Sequence, residues 1–156
     1  MDTLPVFPSI QSLIPTIGRT MKCIDMFIKK EFNEVGLVLT KNQFIVLRLV
    51  HESPRPQSSL ALITERNKGS LARLIHSLES KDYVKRQVLK EDRRVKVIMI
   101  TPRGEETLRR AIPVILSVFE KLQLGLDTED SQTTMRVLEK VMSNAQKELQ
   151  LNFPIK

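Results

Sequence analysis

Two β-branched stretches, YVKRQVLK at residues 83–90 and VKVIMIT at 95–101, stand almost back to back in a chain whose other segments repeat on a helical period. Each is long enough for a strand, and the charged turn at about Lys90 to Arg94 joins them as a hairpin. One hairpin, set among helices, is therefore the frame into which everything else must fit.

Before it, Ile10, Leu13, Ile14, Ile17, Met21, Ile24 and Ile28 recur at spacings of three and four, the mark of a helix with one apolar face. Residues 1–8, with Pro5 and Pro8, read as an extended arm, so the regular helix begins near Pro15 and ends near Gly36. Thr40 caps a second helix whose Phe44, Leu47 and Val50 share a face, and the segment around Pro54 and Pro56 breaks it. Ser58 or Ser59 opens a short helix over Leu60 to Ile63, a turn follows at TERNKG, and Leu71, Leu74, Ile75 and Leu78 mark a fourth helix. After the hairpin, Thr101 and Pro102 start a helix to about Leu124 that Pro113 should kink or split. Gly125 ends it, and Asp127 or Thr128 caps a last helix with Met135, Leu138, Val141, Met142, Ala145 and Leu149 along one stripe.

Charge is placed as unevenly as the strands are. Residues 66–110 hold 13 of the 25 Lys and Arg but only 6 of the 18 Asp and Glu, which accounts for the whole net charge of +7. A local excess of this kind makes a positive surface suited to a polyanion. The single cysteine excludes an intrachain disulfide and fits a reducing cytoplasm. No apolar run approaches the roughly 18 to 20 residues of a membrane span, and the opening residues lack the basic start of a signal peptide. A cytoplasmic protein without membrane association is expected.

A short helix, a tight turn, an amphipathic helix and a charged hairpin make the layout of a winged helix-turn-helix. The polar face of the helix at residues 68–79 suits a major groove about 12 Å wide, with Lys68 near phosphate and His76 and Ser77 on the same side. The hairpin tip, with Lys90, Asp92, Arg93 and Arg94, is then free to reach a minor groove, and Asp92 can hold one guanidinium by a bidentate pair. The plainer alternative is a solvated turn.

Three stretches carry a resemblance to the MarR family of bacterial transcription regulators: LTKNQFIVLRLV, LALITERNKGSLARLIHSLESKDYV and DRRVKVIMIT. The last has the family's wing pattern of Asp, any residue, Arg, five residues, an aliphatic and Thr. The resemblance implies a mainly α (α+β) fold, a winged helix-turn-helix with long N- and C-terminal dimerisation helices. It implies that Lys68, Gly69, Ser70, Ala72 and Arg73 form the reading surface, that Asp92 and Arg94 form the wing pair, and that Arg93 is an extra charge. It also implies a homodimer on a pseudo-palindromic duplex. A single domain over residues 1–156 would divide into a DNA-binding lobe at 37–101 and dimerisation helices at 9–36 and 102–150. Thr64-Glu65-Arg66 stands where many relatives have Leu-Gly, which leaves that turn's geometry open. The long one-sided helices favour dimerisation independently, because a small winged-helix body cannot bury them all.

Other chemistry finds little support. Cys23 could sense oxidants, as some members of the family do, but Met21, Ile24 and Met26 give it an apolar setting that predicts helix packing instead. His51 and His76 lack the further ligands a metal site wants, and His51 suits the negative end of its helix dipole. No glycine-rich phosphate loop or nucleophile, base and acid set is present, so no enzyme and no cofactor is expected. Arg48 is a surface arginine or part of a pocket for the small anionic or aromatic effector the family often binds. The function expected is a ligand-responsive repressor that binds DNA. The alternative is a non-catalytic adaptor using the winged helix and its basic face for protein contacts; RNA binding ranks lower with aromatics at 4%.

Overall fold

The computed structural model describes residues 12–88 and 96–149. They form six helices and three strands: α1 (Leu13–Glu34), α2 (Lys41–Glu52), β1 (Arg55–Pro56), α3 (Gln57–Ile63), α4 (Lys68–Ser80), β2 (Val84–Val88), β3 (Lys96–Ile100), α5 (Pro102–Gln123) and α6 (Thr128–Glu148). The chain divides into two compact units, Met1–Val118 and Phe119–Lys156.

In the first unit α1 starts two residues before Pro15, which leaves the proline in the first turn, where its missing N–H has no helical partner to lose. Gly36, at φ 71°, ends the helix. Its N–H reaches Asn33 O, and the Leu37 N–H reaches Phe32 O at 2.8 Å, so two otherwise unpaired carbonyls are satisfied in a Schellman motif. Leu37 and Phe32 are both buried, the apolar contact that often accompanies this motif. Thr40 then caps α2 reciprocally. Its hydroxyl accepts from Gln43 N at 3.2 Å while its own N–H donates to Gln43 Oε1 at 3.0 Å.

The apolar faces of these helices meet in one core of Ile28, Phe32, Phe44, Val46, Leu47, Val50, Leu60, Leu71, Ile75, Leu78, Leu108, Ala111, Ile115 and Val118. The Phe32 and Phe44 rings lie 6.2 Å apart between α1 and α2. Burying side chains of this size contributes about 1.5–3 kcal/mol each. The core therefore fixes how α4 is presented.

The hairpin forms as expected, with Val84 opposite Ile100 and Val88 opposite Lys96. A third strand was not expected. Arg55 and Pro56 pair antiparallel with Ile98 and Val97, giving the order β1-β3-β2. One of the prolines that break α2, Pro56, thus also lies in a short edge strand, a position where a residue without N–H is tolerated. With that strand in place, α3 starts directly at Gln57, with Pro56 at its cap position and no side-chain cap, rather than at Ser58 or Ser59.

Thr101 caps α5 as its sequence indicated, its hydroxyl accepting from Gly104 N at 3.0 Å and donating to Asp82 O at 2.6 Å. Pro113 does not split α5, which runs unbroken from Pro102 to Gln123. Pro113 and Arg109 are both exposed, so the interrupted bond lies on the side of α5 away from the core, while Leu108, Ala111, Ile115 and Val118 hold the other face on the core. In the second unit Gly125, at φ 78°, ends α5, and the Asp127 carboxylate caps α6 by accepting from Asp130 N at 2.7 Å. No residue of α6 is buried, so its stripe of Met135, Leu138 and Met142 is exposed.

Candidate nucleic-acid interface

The helix-turn-helix is made by α3, the turn Thr64-Glu65-Arg66-Asn67, and α4. Arg66 N–H donates to Ala61 O at 2.9 Å and Glu65 N–H to Leu62 O at 3.2 Å, a second Schellman motif, with Glu65 in the left-handed region at φ 51°. This resolves the departure at Thr64-Glu65-Arg66: the turn keeps the geometry that usually calls for glycine and accepts a torsional cost at Glu65. The same device recurs after α4. Tyr83 N–H reaches Leu78 O, Asp82 N–H reaches Glu79 O, and Asp82 has φ 58°.

Asn67 caps α4, its side-chain oxygen accepting from Ser70 N at 2.8 Å. Arg66 Nη1 donates to Ser70 Oγ at 3.2 Å, which holds a cation beside the first turn. Leu71, Ile75 and Leu78 are fully buried beneath the helix. Lys68 is exposed as the first residue of the helix, Gly69, Arg73 and His76 are exposed on the side away from the core, and Ser70, Ala72 and Ser77 are partly exposed. Ala72, Arg73 and His76 stand three, four and seven residues after Gly69, so they share one outward face.

Ser77 is also held from within. Gln43 Nε2 donates to its hydroxyl at 2.9 Å. Lys81, one turn further on, donates from Nζ to Val38 O at 2.7 Å and to Gln43 Oε1 at 3.3 Å, tying the end of α4 to α2 and the loop before it. Burial lowers the Lys81 amine from its ordinary value of 10.5.

The wing residues Lys90, Asp92, Arg93 and Arg94 lie outside the described residues, as does the proline-containing arm. On the strands, β2 exposes Lys85, Arg86 and Gln87, and β3 exposes Lys96. Arg86 turns back to Glu79 of α4 at 3.4 Å. These cations belong to the basic segment noted in the sequence, but their facing depends on strand register, which composition alone does not carry.

One reading changes. Cys23, expected among apolar side chains, is exposed. The buried stripe of α1 runs through Ile24, Phe27, Ile28 and Phe32 and leaves Cys23 to one side. Arg48 is exposed on α2 and lines neither of two surface hollows, one of about 520 Å³ along α1 at Met26, Lys29, Lys30, Asn33 and Glu34, the other of about 280 Å³ between Asn42, Ile45 and the turn at Ile63 to Arg66. Among the described residues no three His, Cys, Asp or Glu side chains gather as metal ligands, and no helix is long and apolar enough to cross a membrane.

A short helix, a turn, an exposed basic helix and a three-stranded sheet carrying a hairpin define the winged helix-turn-helix class of DNA-binding regulators. The sequence model of the MarR family matches residues 39–96. The chain is 30% identical over 106 residues to the transcriptional regulator HosA of Escherichia coli, spanning 67% of this chain and 78% of that one. In fold it is similar to BpsR of Bordetella bronchiseptica, with TM-score 0.75, 15% identity and coverage of 88% of this chain and 97% of that one. It is similar also to the repressor CouR bound to a 23-mer DNA duplex, with TM-score 0.73, 21% identity and coverage of 88% and 99%. The chain belongs to the MarR family and is a DNA-binding transcriptional regulator.

Proposed function

We propose that this regulator is a homodimeric, ligand-responsive repressor that reads a pseudo-palindromic duplex with α4 in the major groove and the hairpin in the minor groove. The observation that carries this reading is the division of α4 into a fully buried face at Leu71, Ile75 and Leu78 and an outward face with Arg73 and His76, with Lys68 exposed at the helix start. A helix so mounted offers cations and polar groups to phosphate and base edges while the core fixes its angle. Gly69, at the first turn, brings a backbone N–H to the helix start, suited to a phosphate. In this reading Lys90, Asp92, Arg93 and Arg94 serve the minor groove, and residues 37–101 form the DNA-binding lobe.

Dimerisation is supported by apolar side chains left exposed in each unit. In the first they include Leu13, Ile14 and Met21 of α1 and Ile112 and Leu116 of α5; in the second they include Met135, Leu138 and Met142 of α6. Faces of this kind, at 9–36 and 102–150, are suited to a two-fold interface. An effector releases DNA only by binding the released geometry more tightly, and each 1.4 kcal/mol of that preference is about tenfold in affinity. Regulation of BpsR by 6-hydroxynicotinic acid supports a small anionic aromatic as the effector class here.

Selection of bound sequences from a random duplex pool tests the proposal. An inverted repeat with half-sites about one helical turn apart is expected. Enrichment of no sequence would refute it and favour the adaptor reading.

A further inference from the structure

Gln43 is an unusual residue for the buried face of α2: a polar side chain only 4% exposed, among Phe44, Val46, Leu47 and Val50. Its amide orientation is fixed by its neighbours. Thr40 N and Lys81 Nζ are both donors, and both approach Oε1, at 3.0 and 3.3 Å. The oxygen must therefore face them, and Nε2 must face Ser77, whose hydroxyl lies 2.9 Å away. Along this contact Ser77 Oγ is the acceptor. Its own proton is left to point elsewhere.

We propose that Gln43 is a positioning residue for DNA recognition, which holds the Ser77 hydroxyl as an outward donor to a phosphate oxygen of the duplex. The inference rests on the proposed placement of α4 in the major groove. Ser77 is partly exposed, one turn beyond Arg73, on the half of α4 remote from Asn67. In that placement Arg73 meets base edges, so a hydroxyl one turn further along meets the backbone of the groove wall. Without the Gln43 donor the hydroxyl would be free to turn inward. With it, the proton is directed away from Gln43 and is available to an acceptor outside the fold, for which a charged oxygen is favoured. The same amide bridges the cap of α2 to α4, so groove position and hydroxyl polarity are set by one side chain.

Gln43→Glu reverses the polarity while keeping the shape. A carboxylate still accepts from Thr40 N and Lys81 Nζ, but it cannot donate to Ser77, whose proton must then turn inward. Affinity for the selected duplex is measured for the wild-type chain, Ser77→Ala, Gln43→Glu and the double variant, with thermal melts of each. Ser77→Ala is expected to weaken binding about tenfold in the wild-type background, as loss of a hydrogen bond to a charged group should. In the Gln43→Glu background the same change is expected to cost less than about twofold, because the donor is already lost; the added negative charge is common to both members of that comparison. Equal losses in the two backgrounds, or no loss in the wild type, overturn the proposal. Should Gln43→Glu fail to fold, Ser77→Thr decides: it keeps the hydroxyl and should bind within about twofold of wild type, and a Thr variant as weak as the Ala one overturns the proposal. A wild-type chain that selects no duplex refutes the groove placement itself, whereas normal selection with additive variants refutes only the role of Gln43.

Discussion

Gly104 is the point where the base of the hairpin is locked to α5, and replacing it with alanine tests that joint. A Cβ built there would lie 2.0 Å from Tyr83 O, 2.9 Å from Tyr83 C and 2.8 Å from Ile100 Cγ1. Two of these three atoms are backbone, so no rotamer change relieves the overlap, and α5 must move by more than about 1 Å to restore ordinary contact. That movement pulls on the bonds made at the same place: Thr101 N to Tyr83 O at 3.0 Å, Thr101 Oγ1 to Asp82 O at 2.6 Å, and Gly104 N to Thr101 Oγ1 at 3.0 Å. Overpacking costs about 1–3 kcal/mol, and weakening one or two of these bonds adds about 1 kcal/mol. Alanine's better helix propensity returns at most about 1 kcal/mol. The net expectation is a loss of about 1–3 kcal/mol, read as a lower urea midpoint at unchanged slope. If Gly104→Ala were as stable as the wild type, the packing of α5 on Tyr83 described above would be wrong.

Further outcomes follow from single residues. Gly69 has only Asn67 Oδ1, at 3.7 Å, near its absent Cβ, so Gly69→Ala should stabilise the fold by about 0.5 kcal/mol in urea unfolding yet weaken duplex binding by crowding the phosphate approach. Gly36 has open space but φ 71°, so Gly36→Ala should cost about 1 kcal/mol by torsion alone, with no change in DNA affinity beyond what stability explains. Thr40→Ala removes the capping box of α2 and should cost about 1 kcal/mol in the same assay. Because burial lowers the Lys81 amine below its ordinary 10.5, the unfolded chain binds more protons than the folded one in the window below that value. This group therefore makes stability rise with pH there, and the rise should be smaller in Lys81→Met when urea midpoints of the two chains are compared between neutral pH and about pH 10.

What the sequence made legible was local and periodic. The Thr40 cap, the Thr101 and Asp127 caps, the ends at Gly36 and Gly125, and the buried faces at Phe44, Leu47 and Val50 and at Leu71, Ile75 and Leu78 depend on neighbours within a turn or two. The features it hid depend on distant partners. Arg55 and Pro56 become a strand only because β3 lies beside them, and prolines read as breakers until that pairing is seen. Glu65 and Asp82 adopt left-handed backbone without glycine, so no turn residue announced their Schellman motifs. Pro113 leaves α5 whole because the face it interrupts is the wet one. Gln43 counts as polar by type, yet a donor–acceptor set drawn from Thr40, Ser77 and Lys81 buries it. In the candidate interface, the outward face of α4 was readable from its period, but the inward tie on Ser77 was not.

The central claim is that α4 meets the duplex, phosphate through Lys68 at its first turn and base edges through Arg73 on its outer face. Affinity for the selected duplex and for a scrambled one, measured across a series of salt concentrations, tests it most directly. Lys68→Ala should weaken binding to both duplexes alike and reduce the salt slope by about one, whereas Arg73→Ala should weaken the selected duplex by about 1–3 kcal/mol and relax the choice of base at one position in each half-site. Both variants binding both duplexes with wild-type affinity and slope would contradict the account.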